Sequence, residues 1–588
     1  MLNRECFIVQ DKAMKAQKVV EESGPVTMDQ LANVSIRRAD GLFEVDAGSF
    51  SDAATDLTES WLYEAVDIAD GLSQYEKLDE AAALNSRRFS IQRGHYELWQ
   101  HALWQDWRLT RDGQYLLFSP ADRKLASLFD AYVIRQQSNF MEYAWIDRAS
   151  WPNMSAQQRR EVQLPLTIIT LEQKPHKRRR FVVGRPSINV SDFPPYLLAH
   201  SGLEGSYVSP FLRRPLPNRP ELTCQLILCA WYVLLDLADI LAAKRPRATF
   251  RSQENVRQWA LVVRRKELVD ALRRTLNVAE VVAAILIEFL SWSKGCYKGL
   301  WGAPLVPLPG NTNNFAIAHN VLATSNVIRR VEIWLTKGGL DDNLARAARG
   351  SSYETQLRRQ IGIALRSNEI VRNSVCANKA IKKNINFPEE IDLLIQFSSL
   401  MLVGEVKCLL TPTDSRERYN FIRNIEKYTT QATRKAVAVT QHLDTAAAAL
   451  KISETEIKKL HVLPILVLNI GFGMSMVFGD CVVTDAKFLK LYLGSGKYIS
   501  NAAFNTFTGK WVSTQDIFYR NAVEAAKKFE ETTRRPPTLY RYIDRLRPTT
   551  FSFPTSSGEP LLIARTELTN PEDDERKRLE ALSALVGR

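Results

Sequence analysis

The spacing of apolar residues changes along the chain and divides it into segments. Over residues 12–153 apolar side chains recur every three to four positions, most clearly over 51–70 and 121–145, which predicts helices. Over 162–185 the period shortens towards two, which predicts a strand hairpin with a basic tip at 177–180. That tip is either a solvated turn or a contact for phosphate groups.

Helical spacing returns in the middle of the chain. It covers 221–241, 254–276, 279–292 and 320–336, with a proline-rich irregular connection over 194–220 and a loop over 302–314. The 254–276 segment has an apolar face and a basic face, which includes Arg264 and Arg273. The basic face is either solvated or follows a nucleic-acid backbone.

Two apolar runs, 390–397 and 400–408, flank Ser398 and Ser399 and predict an antiparallel strand pair. In a symmetric hairpin, the residue numbers of paired residues have a constant sum. This register places Asp392 opposite Glu405 and Glu390 opposite Lys407. Because side chains two apart share a face, all four charged groups are expected on one side of the sheet.

Carboxylates this close repel one another unless a cation lies between them. Oxygen ligands with open coordination positions suit Mg²⁺ or Mn²⁺, so the hairpin predicts a metal site with a lysine beside it. The alternative is an ordinary solvated sheet face on which Glu390 pairs with Lys407 and Asp392 is merely exposed. The direct opposition of Asp392 and Glu405 argues against this alternative, since like charges across a ladder are unfavourable.

Asp392 followed by Glu405, Val406 and Lys407 at the end of an apolar strand resembles the signature of the PD-(D/E)xK nuclease superfamily, which has the restriction-endonuclease-like fold. The resemblance covers about 346–495. It implies metal-dependent phosphodiester hydrolysis, with Asp392 and Glu405 binding the metal and Lys407 positioning water or stabilising charge. The proline of the signature is displaced: Pro388 lies four residues before Asp392, and Ile391 occupies the usual position.

The same resemblance adds two candidate residues. Ser351 and Glu354 form a capping box that predicts a helix from 351 to about 365, and related nucleases place an acidic residue on this helix. Glu354 is therefore either a metal ligand or only a helix cap. Gln431 lies on the helix predicted over 414–440, where related families carry a glutamine or lysine that faces the site; the alternative is a solvated side chain.

The rest of the chain completes an α/β pattern. Strands are predicted over 462–470 and 476–484, Asp485 is expected to cap the next helix, and a further helix is predicted over 513–533 before the charged tail 572–588. The predicted architecture is multidomain, with a mainly α N-terminal region and a C-terminal α/β restriction-endonuclease-like domain with a mixed sheet. The predicted units are 1–160, 161–218, 219–345, 346–495 and 496–588.

Composition favours an anionic partner. The 588 residues contain 78 Lys and Arg against 65 Asp and Glu, a net charge of +13, which is typical of nucleic-acid binding. The seven cysteines have no zinc spacing and indicate a reducing, cytoplasmic environment. The apolar run 226–235 has half the length of a membrane span, and residues 1–10 show no secretory signal.

These observations predict a cytoplasmic Mg²⁺-dependent endonuclease that acts on nucleic acid, with DNA favoured, in a bacterial defence or restriction-type system. The alternative is a nucleic-acid-binding or scaffold subunit with an inactive nuclease-like domain. The chain has no Walker motif, so an ATPase or helicase subunit would be a separate partner. A homo-oligomer is compatible with the sequence, and no membrane partner is expected.

Overall fold

The protein is described here from a computed structural model. It describes residues 107–112, 115–150, 166–173, 179–185, 195–204, 206–244, 261–296, 299–308, 311–340, 343–383, 387–412, 415–504, 511–553, 561–569 and 573–587. Of the first 106 residues it describes 26–27, 35–37, 44–46, 55, 59 and 62–63. Much of the helical segment predicted over 12–153, including residues 64–106, lies outside the described residues.

A five-stranded mixed sheet, the central sheet, carries the candidate site. Its strands, in spatial and sequence order, are β1 (Val375–Cys376), β2 (Leu393–Phe397), β3 (Leu400–Lys407), β4 (His461–Leu468) and β5 (Val482–Asp485). The pairs β1–β2 and β2–β3 are antiparallel, whereas β3–β4 and β4–β5 are parallel. The strands β3 and β4 are buried over most of their length, which accounts for their nearly continuous apolar sequence.

The hairpin register of β2 and β3 is the one that the sequence predicts. Leu393 pairs with Gly404 and Phe397 with Leu400, so paired residue numbers have the predicted constant sum. Ser398 turns the chain with a φ of +54°, a left-handed value that a small polar residue tolerates in a tight turn. The same register, continued by one residue beyond the last pair, places Asp392 opposite Glu405 at the end of the ladder.

Helices cover both faces of the central sheet. On one face, Leu393, Ile395 and Leu402 pack against the helices Arg123–Ser150, Asn343–Arg366 (the lead helix), Ala486–Gly494 and Ala522–Arg534. On the other face, Leu394, Met401 and Val403 pack against Ser415–Gln441 (the crossover helix) and Leu443–Leu450. The crossover helix joins the parallel strands β3 and β4, a connection that parallel pairing requires. Side chains alternate between the two faces along a strand, so this second face also carries Asp392, Glu405 and Lys407.

A second core lies in the helical region between residues 168 and 335. Its longest helix, Cys224–Ala243, buries Trp231 and Leu234 completely. Within the described chain, this helix alone is long and apolar enough to cross a membrane, and 56% of its most apolar window is buried inside the protein. It also carries a half-buried carboxyl group, Asp236, on its C-terminal half.

The helical core contacts the central-sheet region through buried polar groups. Arg329 donates to the Thr411 carbonyl oxygen at 3.3 Å and to Glu417 at 2.7 Å. The Glu332 carboxylate accepts a bond from the Thr411 amide at 3.3 Å and another from the Tyr207 hydroxyl. Thr411 lies four residues after Lys407, so the helical core fixes the segment that follows β3.

Smaller sheets and helices complete the described fold. A four-stranded sheet joins the N- and C-terminal regions through a parallel pairing of Tyr115–Pro120 with Leu561–Leu568; its other strands are Trp107–Asp112 and Leu546–Phe553. The remaining strands are Val26–Thr27, Ser35–Arg37, Glu44–Asp46, Thr167–Glu172, Arg180–Gly184, Pro215–Leu216, Arg219–Thr223, Val262–Arg264, Leu305–Leu308, Asn311–Ile317, Lys497–Phe504 and Trp511–Ile517. The remaining helices are Pro195–Glu204, Ser209–Leu212, Arg265–Leu276, Glu280–Phe289, Gly299–Gly302, His319–Thr324, Val327–Leu335, Thr336–Leu340, Glu454–Ile457, Pro537–Ile543 and Asp573–Gly587.

Several element predictions are confirmed. The predicted hairpin over 162–185 forms, although its tip residue Arg179 bonds with Glu267 at 2.6 Å. Asp485 caps the helix after β5 by accepting from the Phe488 amide at 2.8 Å. The helices Cys224–Ala243 and Ser415–Gln441 agree with their predicted spans within a few residues.

Other element predictions are wrong, mainly where residues typical of turns occur within or beside helices and strands. The proline-rich connection contains the helix Pro195–Glu204, because proline is tolerated in a first helical turn. The loop predicted over 302–314 contains the antiparallel strands Leu305–Leu308 and Asn311–Ile317. Residues 107–112, 115–120, 262–264 and 513–517 form strands where helix was predicted, and the strand predicted from 476 begins at Val482.

Candidate active site

Asp392 lies at the start of β2, held by backbone contacts on both sides. Its Oδ2 atom accepts a hydrogen bond from the Val406 amide at 3.0 Å, which ties it to β3 beyond the end of the ladder. The Arg358 guanidinium of the lead helix donates to the Asp392 carbonyl oxygen at 2.5 Å. With 7% of the residue exposed, this carboxylate is placed by the fold rather than by solvent.

Glu405, on β3, is the most buried group of the site, with 2% of the residue exposed. Its two carboxylate oxygens contact different ammonium groups: Oε1 contacts Lys407, and Oε2 contacts Lys435. Lys435 comes from the crossover helix and also lies 3.1 Å from Asp392 Oδ1. One buried ammonium therefore bridges the two carboxylates that the hairpin brings together.

Burial and mutual repulsion shape the ionisation of the two carboxylates. Burial, together with the neighbouring Glu405, raises the pKa of Asp392. Burial also opposes the ionisation of Glu405, but the charges of Lys435 and Lys407 outweigh it and lower the pKa of Glu405. At neutral pH the site thus holds a firmly ionised glutamate beside an aspartate whose charge needs a nearby cation.

Lys407 is the more accessible of the two lysines. Its side chain is 29% exposed, and its ammonium lies 5.0 Å from the centre of the Tyr428 ring, a cation–π contact. Burial works against the charge of Lys407, but Glu405 and then Asp392 reverse this and raise the pKa of Lys407. Because the group stays protonated near neutral pH, its chemical role is to donate hydrogen bonds and stabilise charge, not to accept a proton.

Glu354 lies beside the site on the lead helix. This helix begins at Asn343, so Ser351 is within it and the predicted helix start at Ser351 is wrong. Burial, followed by the charge of Asp392, raises the pKa of Glu354, which places its carboxyl group within electrostatic range of the site. Arg358, one turn further on, lies 3.9 Å from Glu354. Glu354 is therefore not a helix-terminal cap.

Glu390 makes a different contact from the predicted one. Its carboxylate pairs with Lys382, and both side chains are substantially exposed, at 45% and 76%. The segment after β1 forms a bridge from Ile381 to Ile391, which puts Lys382 next to Glu390 and ends the hairpin ladder before Lys407 is reached. The predicted pairing of Glu390 with Lys407 is wrong for this reason.

Gln431 lies on the crossover helix between two residues of the site. Tyr428 is three residues before it and Lys435 four residues after it, so all three share one face of the helix. Gln431 is half-buried. Its role at the site stays a prediction.

The donor set suits a hard divalent cation in the position that Lys435 now occupies. Asp392 Oδ1 and Glu405 Oε2 approach one ammonium, and Glu405 Oε2 makes no hydrogen bond of regular geometry in the structure. Two carboxylates that converge on one point are ligands typical of Mg²⁺ or Mn²⁺. Among the described residues, however, no group of three acidic, histidine or cysteine side chains is preassembled, so Glu354 would need to move to become a third ligand.

Lys435 is the main residue of the site that sequence reasoning does not single out. Arg423, Lys427 and Arg434 on the same helix are exposed, whereas only 8% of the Lys435 side chain is exposed. The neighbouring apolar positions carry the missed signal: Ala432, Ala436 and Val439 are all buried on the same helix. A lysine among these positions faces the core and needs a carboxylate partner.

Comparisons with family models, with curated proteins and with solved structures found no match to this chain. The nuclease resemblance therefore rests on the hairpin residues and on the geometry around them. It extends neither to the helical core nor to the terminal sheet.

Proposed function

We propose that this chain is a metal-dependent nuclease that hydrolyses phosphodiester bonds through the site at the end of the β2–β3 hairpin. The observation that carries the proposal is the convergence of Asp392 and Glu405 on a single cation, with Lys407 beside them. Two opposed buried carboxylates are unfavourable in any protein that does not hold a cation between them. In the metal-free protein Lys435 supplies that cation, and a divalent ion that displaced it would have two converging carboxylate ligands.

The roles of the side chains follow from their positions. Asp392 and Glu405 would hold Mg²⁺ or Mn²⁺, and Glu354 would complete the ligand set. A bound divalent ion supplies polarisation of the phosphodiester and a lower pKa for coordinated water. Lys407, which stays protonated, donates hydrogen bonds to the attacking water or neutralises the developing charge on the phosphate. Tyr428 contacts the Lys407 ammonium and would orient it, and Gln431, on the same helix face, would face the site.

Nucleic acid is the proposed substrate class, with DNA favoured. The net charge of +13 supports an anionic partner. The crossover helix presents Arg423, Lys427 and Arg434 as exposed residues on the outside of the helix that supplies Lys435. These cations would contact phosphates that flank the cleaved bond. A cytoplasmic role in bacterial defence, with a separate ATPase or helicase subunit or as a homo-oligomer, is part of the same proposal.

A second candidate function is favoured by one observation. Lys435 already neutralises both carboxylates, so the cluster is electrostatically complete without a metal. A nucleic-acid-binding or scaffold subunit with an inactive nuclease-like domain would keep this arrangement permanently. The two functions differ in whether a divalent cation can displace the Lys435 ammonium.

The experiment is a Mn²⁺ titration by calorimetry together with a cleavage panel. The panel uses circular and linear double-stranded DNA, single-stranded DNA and RNA, each with and without Mg²⁺. The nuclease proposal expects Mn²⁺ binding that is lost in Asp392→Asn, and Mg²⁺-dependent cleavage of at least one substrate. Absence of both Mn²⁺ binding and cleavage in the wild type would favour the scaffold function.

A further inference from the structure

Arg330, in the helical core, is a buried cation to which the proposed nuclease site assigns no role. It lies on the helix Val327–Leu335, far along the chain from the hairpin, and 2% of the residue is exposed. It is one of the largest fully buried side chains in the described part of the protein. A charged group buried this deeply is strongly unfavourable unless it is paired.

The other buried arginines of the described residues each have a carboxylate partner. Arg135 pairs with Asp485, Arg329 with Glu417 and Glu332, and Arg358 with Glu354. Arg330 has no such ion pair in the described structure. Burial accordingly lowers the pKa of Arg330, and the hydroxyl of Tyr232 is the group that opposes this effect.

Aromatic rings surround the Arg330 guanidinium. Its central carbon lies 4.4 Å from the centre of the Trp231 ring and 5.7 Å from that of Tyr232. Stacking of this kind stabilises the flat faces of the group but does not satisfy its N–H bonds, which lie in the plane. The Nε and Nη1 atoms of Arg330 make no hydrogen bond in the structure.

The two indole N–H groups nearby already donate to backbone carbonyl oxygens, so they do not compete with Arg330 for an acceptor. Trp231 donates its indole N–H to the Leu322 carbonyl oxygen at 2.9 Å, and Trp334 donates to that of Gly302 at 2.9 Å. Tyr232, in contrast, is half-buried, and its hydroxyl is a hydrogen-bond partner of the guanidinium. The unmet requirement at this position is therefore for a negatively charged acceptor at Nε and Nη1, beside the half-buried Tyr232.

We propose that Arg330 anchors an anion site in the helical core that binds the oxyanion group of a small acid, a phosphate or a carboxylate. The guanidinium supplies charge and in-plane donors to the oxyanion, while Trp231 fixes its orientation by stacking. Binding neutralises a buried charge, so occupancy stabilises the folded helical core. The inference does not depend on the nuclease proposal, because none of its residues belongs to the hairpin site.

The test is thermal unfolding of the full chain in sodium phosphate, sodium acetate and sodium chloride at equal ionic strength. Binding to the native state alone raises the melting temperature, so the wild type should gain several degrees in phosphate, in acetate or in both, relative to chloride. A gain in one salt only identifies the class of acid. The gain should persist in Lys407→Ala, which excludes anion binding at the hairpin site, and should disappear in Arg330→Met.

Two results would overturn the proposal. One is a wild type that melts at the same temperature in all three salts. The other is an Arg330→Met variant that melts lower than the wild type by the same amount in every salt, as a purely structural arginine would cause. If Arg330→Met does not fold, Arg330→Lys replaces it in the test. Lysine keeps the positive charge over Trp231 but lacks the planar guanidinium, so the phosphate concentration that gives half of the maximal stabilisation should rise about tenfold. An unchanged concentration for half the effect in Arg330→Lys would equally overturn the proposal.

Discussion

The ammonium of Lys435 lies 3.1 Å from Oδ1 of Asp392. Lys435 is on the crossover helix, 43 positions after Asp392 in the chain. The same ammonium contacts Glu405, so it occupies the place between the two carboxylates. This contact explains how the hairpin tolerates two opposed acids without a metal. It also means that a metal ion entering the site must compete with a lysine.

The first prediction concerns removal of that competitor. Lys435→Met leaves Asp392 and Glu405 buried without their shared cation, which should destabilise the metal-free protein by about 3–5 kcal/mol. The same change frees the two carboxylates for a divalent cation. We therefore expect Mg²⁺ or Mn²⁺ to restore most of the lost stability in Lys435→Met while stabilising the wild type less, as measured by denaturant unfolding with and without metal.

Glu426→Gln is the matched control for this prediction. Glu426 lies on the same crossover helix but is exposed to solvent, so the substitution should change neither stability nor metal response. If Lys435→Met is destabilised and added metal has no effect, the carboxylates do not form a metal site.

The second prediction concerns the close approach of the two hairpin strands. A Cβ atom at Gly404 would lie 2.9 Å from Cβ of its partner Leu393, which is too close for either backbone to remain in place. Gly404→Ala should cost about 1–3 kcal/mol of folding stability, because the overpacked strands must separate. Since Glu405 is the next residue, metal binding should weaken as well. Chemical denaturation and calorimetry measure the two effects.

Gly362→Ala serves as the opposite case. Gly362 is within the lead helix, and the nearest atom to an added Cβ is the end of the Arg366 side chain at 3.5 Å. Alanine there should stabilise the protein by about 0.5–1 kcal/mol through helix propensity. A Gly404→Ala protein as stable as the wild type would show that the hairpin is looser than the structure indicates.

The third prediction concerns pH and the helical core. Burial, helped by Asp239, raises the pKa of Asp236 from 3.8 to about 7. The folded state therefore binds a proton that the unfolded state releases, and stability should fall as the pH rises from about 4 to about 7 and then level off. The full loss is on the order of 4 kcal/mol.

Asp236→Asn removes the titrating group at nearly constant shape. Melting temperatures of the wild type and Asp236→Asn, compared from about pH 5 to about pH 8, should diverge as the pH rises, with the wild type losing stability. Parallel curves for the two proteins would show that Asp236 ionises normally in the folded chain.

The sequence predicts the hairpin well because its constraints are local. A two-residue turn fixes the register, and alternation along β2 and β3 then fixes which side chains share a face. Asp392 and Glu405 meet for these reasons alone. Glu390 does not follow the same rule, because Ile381, brought in by a separate segment, pairs with Ile391 and supplies Lys382 instead.

Long-range packing accounts for what the sequence does not predict. In the sequence, Lys435 is one of several cations on the crossover helix. It is buried because it shares a helix face with the buried residues Ala432 and Ala436. Ser351 resembles a helix start, yet the lead helix extends back to Asn343, since a capping motif inside a longer helix does not interrupt it. The bridge that Lys435 forms depends on the crossover helix folding back over the hairpin.

The most direct test of the central claim is Mg²⁺-dependent cleavage of DNA by the wild type, Asp392→Asn and Lys407→Ala, with Glu426→Gln as control. We expect cleavage by the wild type and the control. We expect a loss of at least about a hundredfold in the two site variants, which should still fold and bind DNA. Cleavage that persists in both Asp392→Asn and Lys407→Ala would contradict the assignment of this hairpin as a nuclease site.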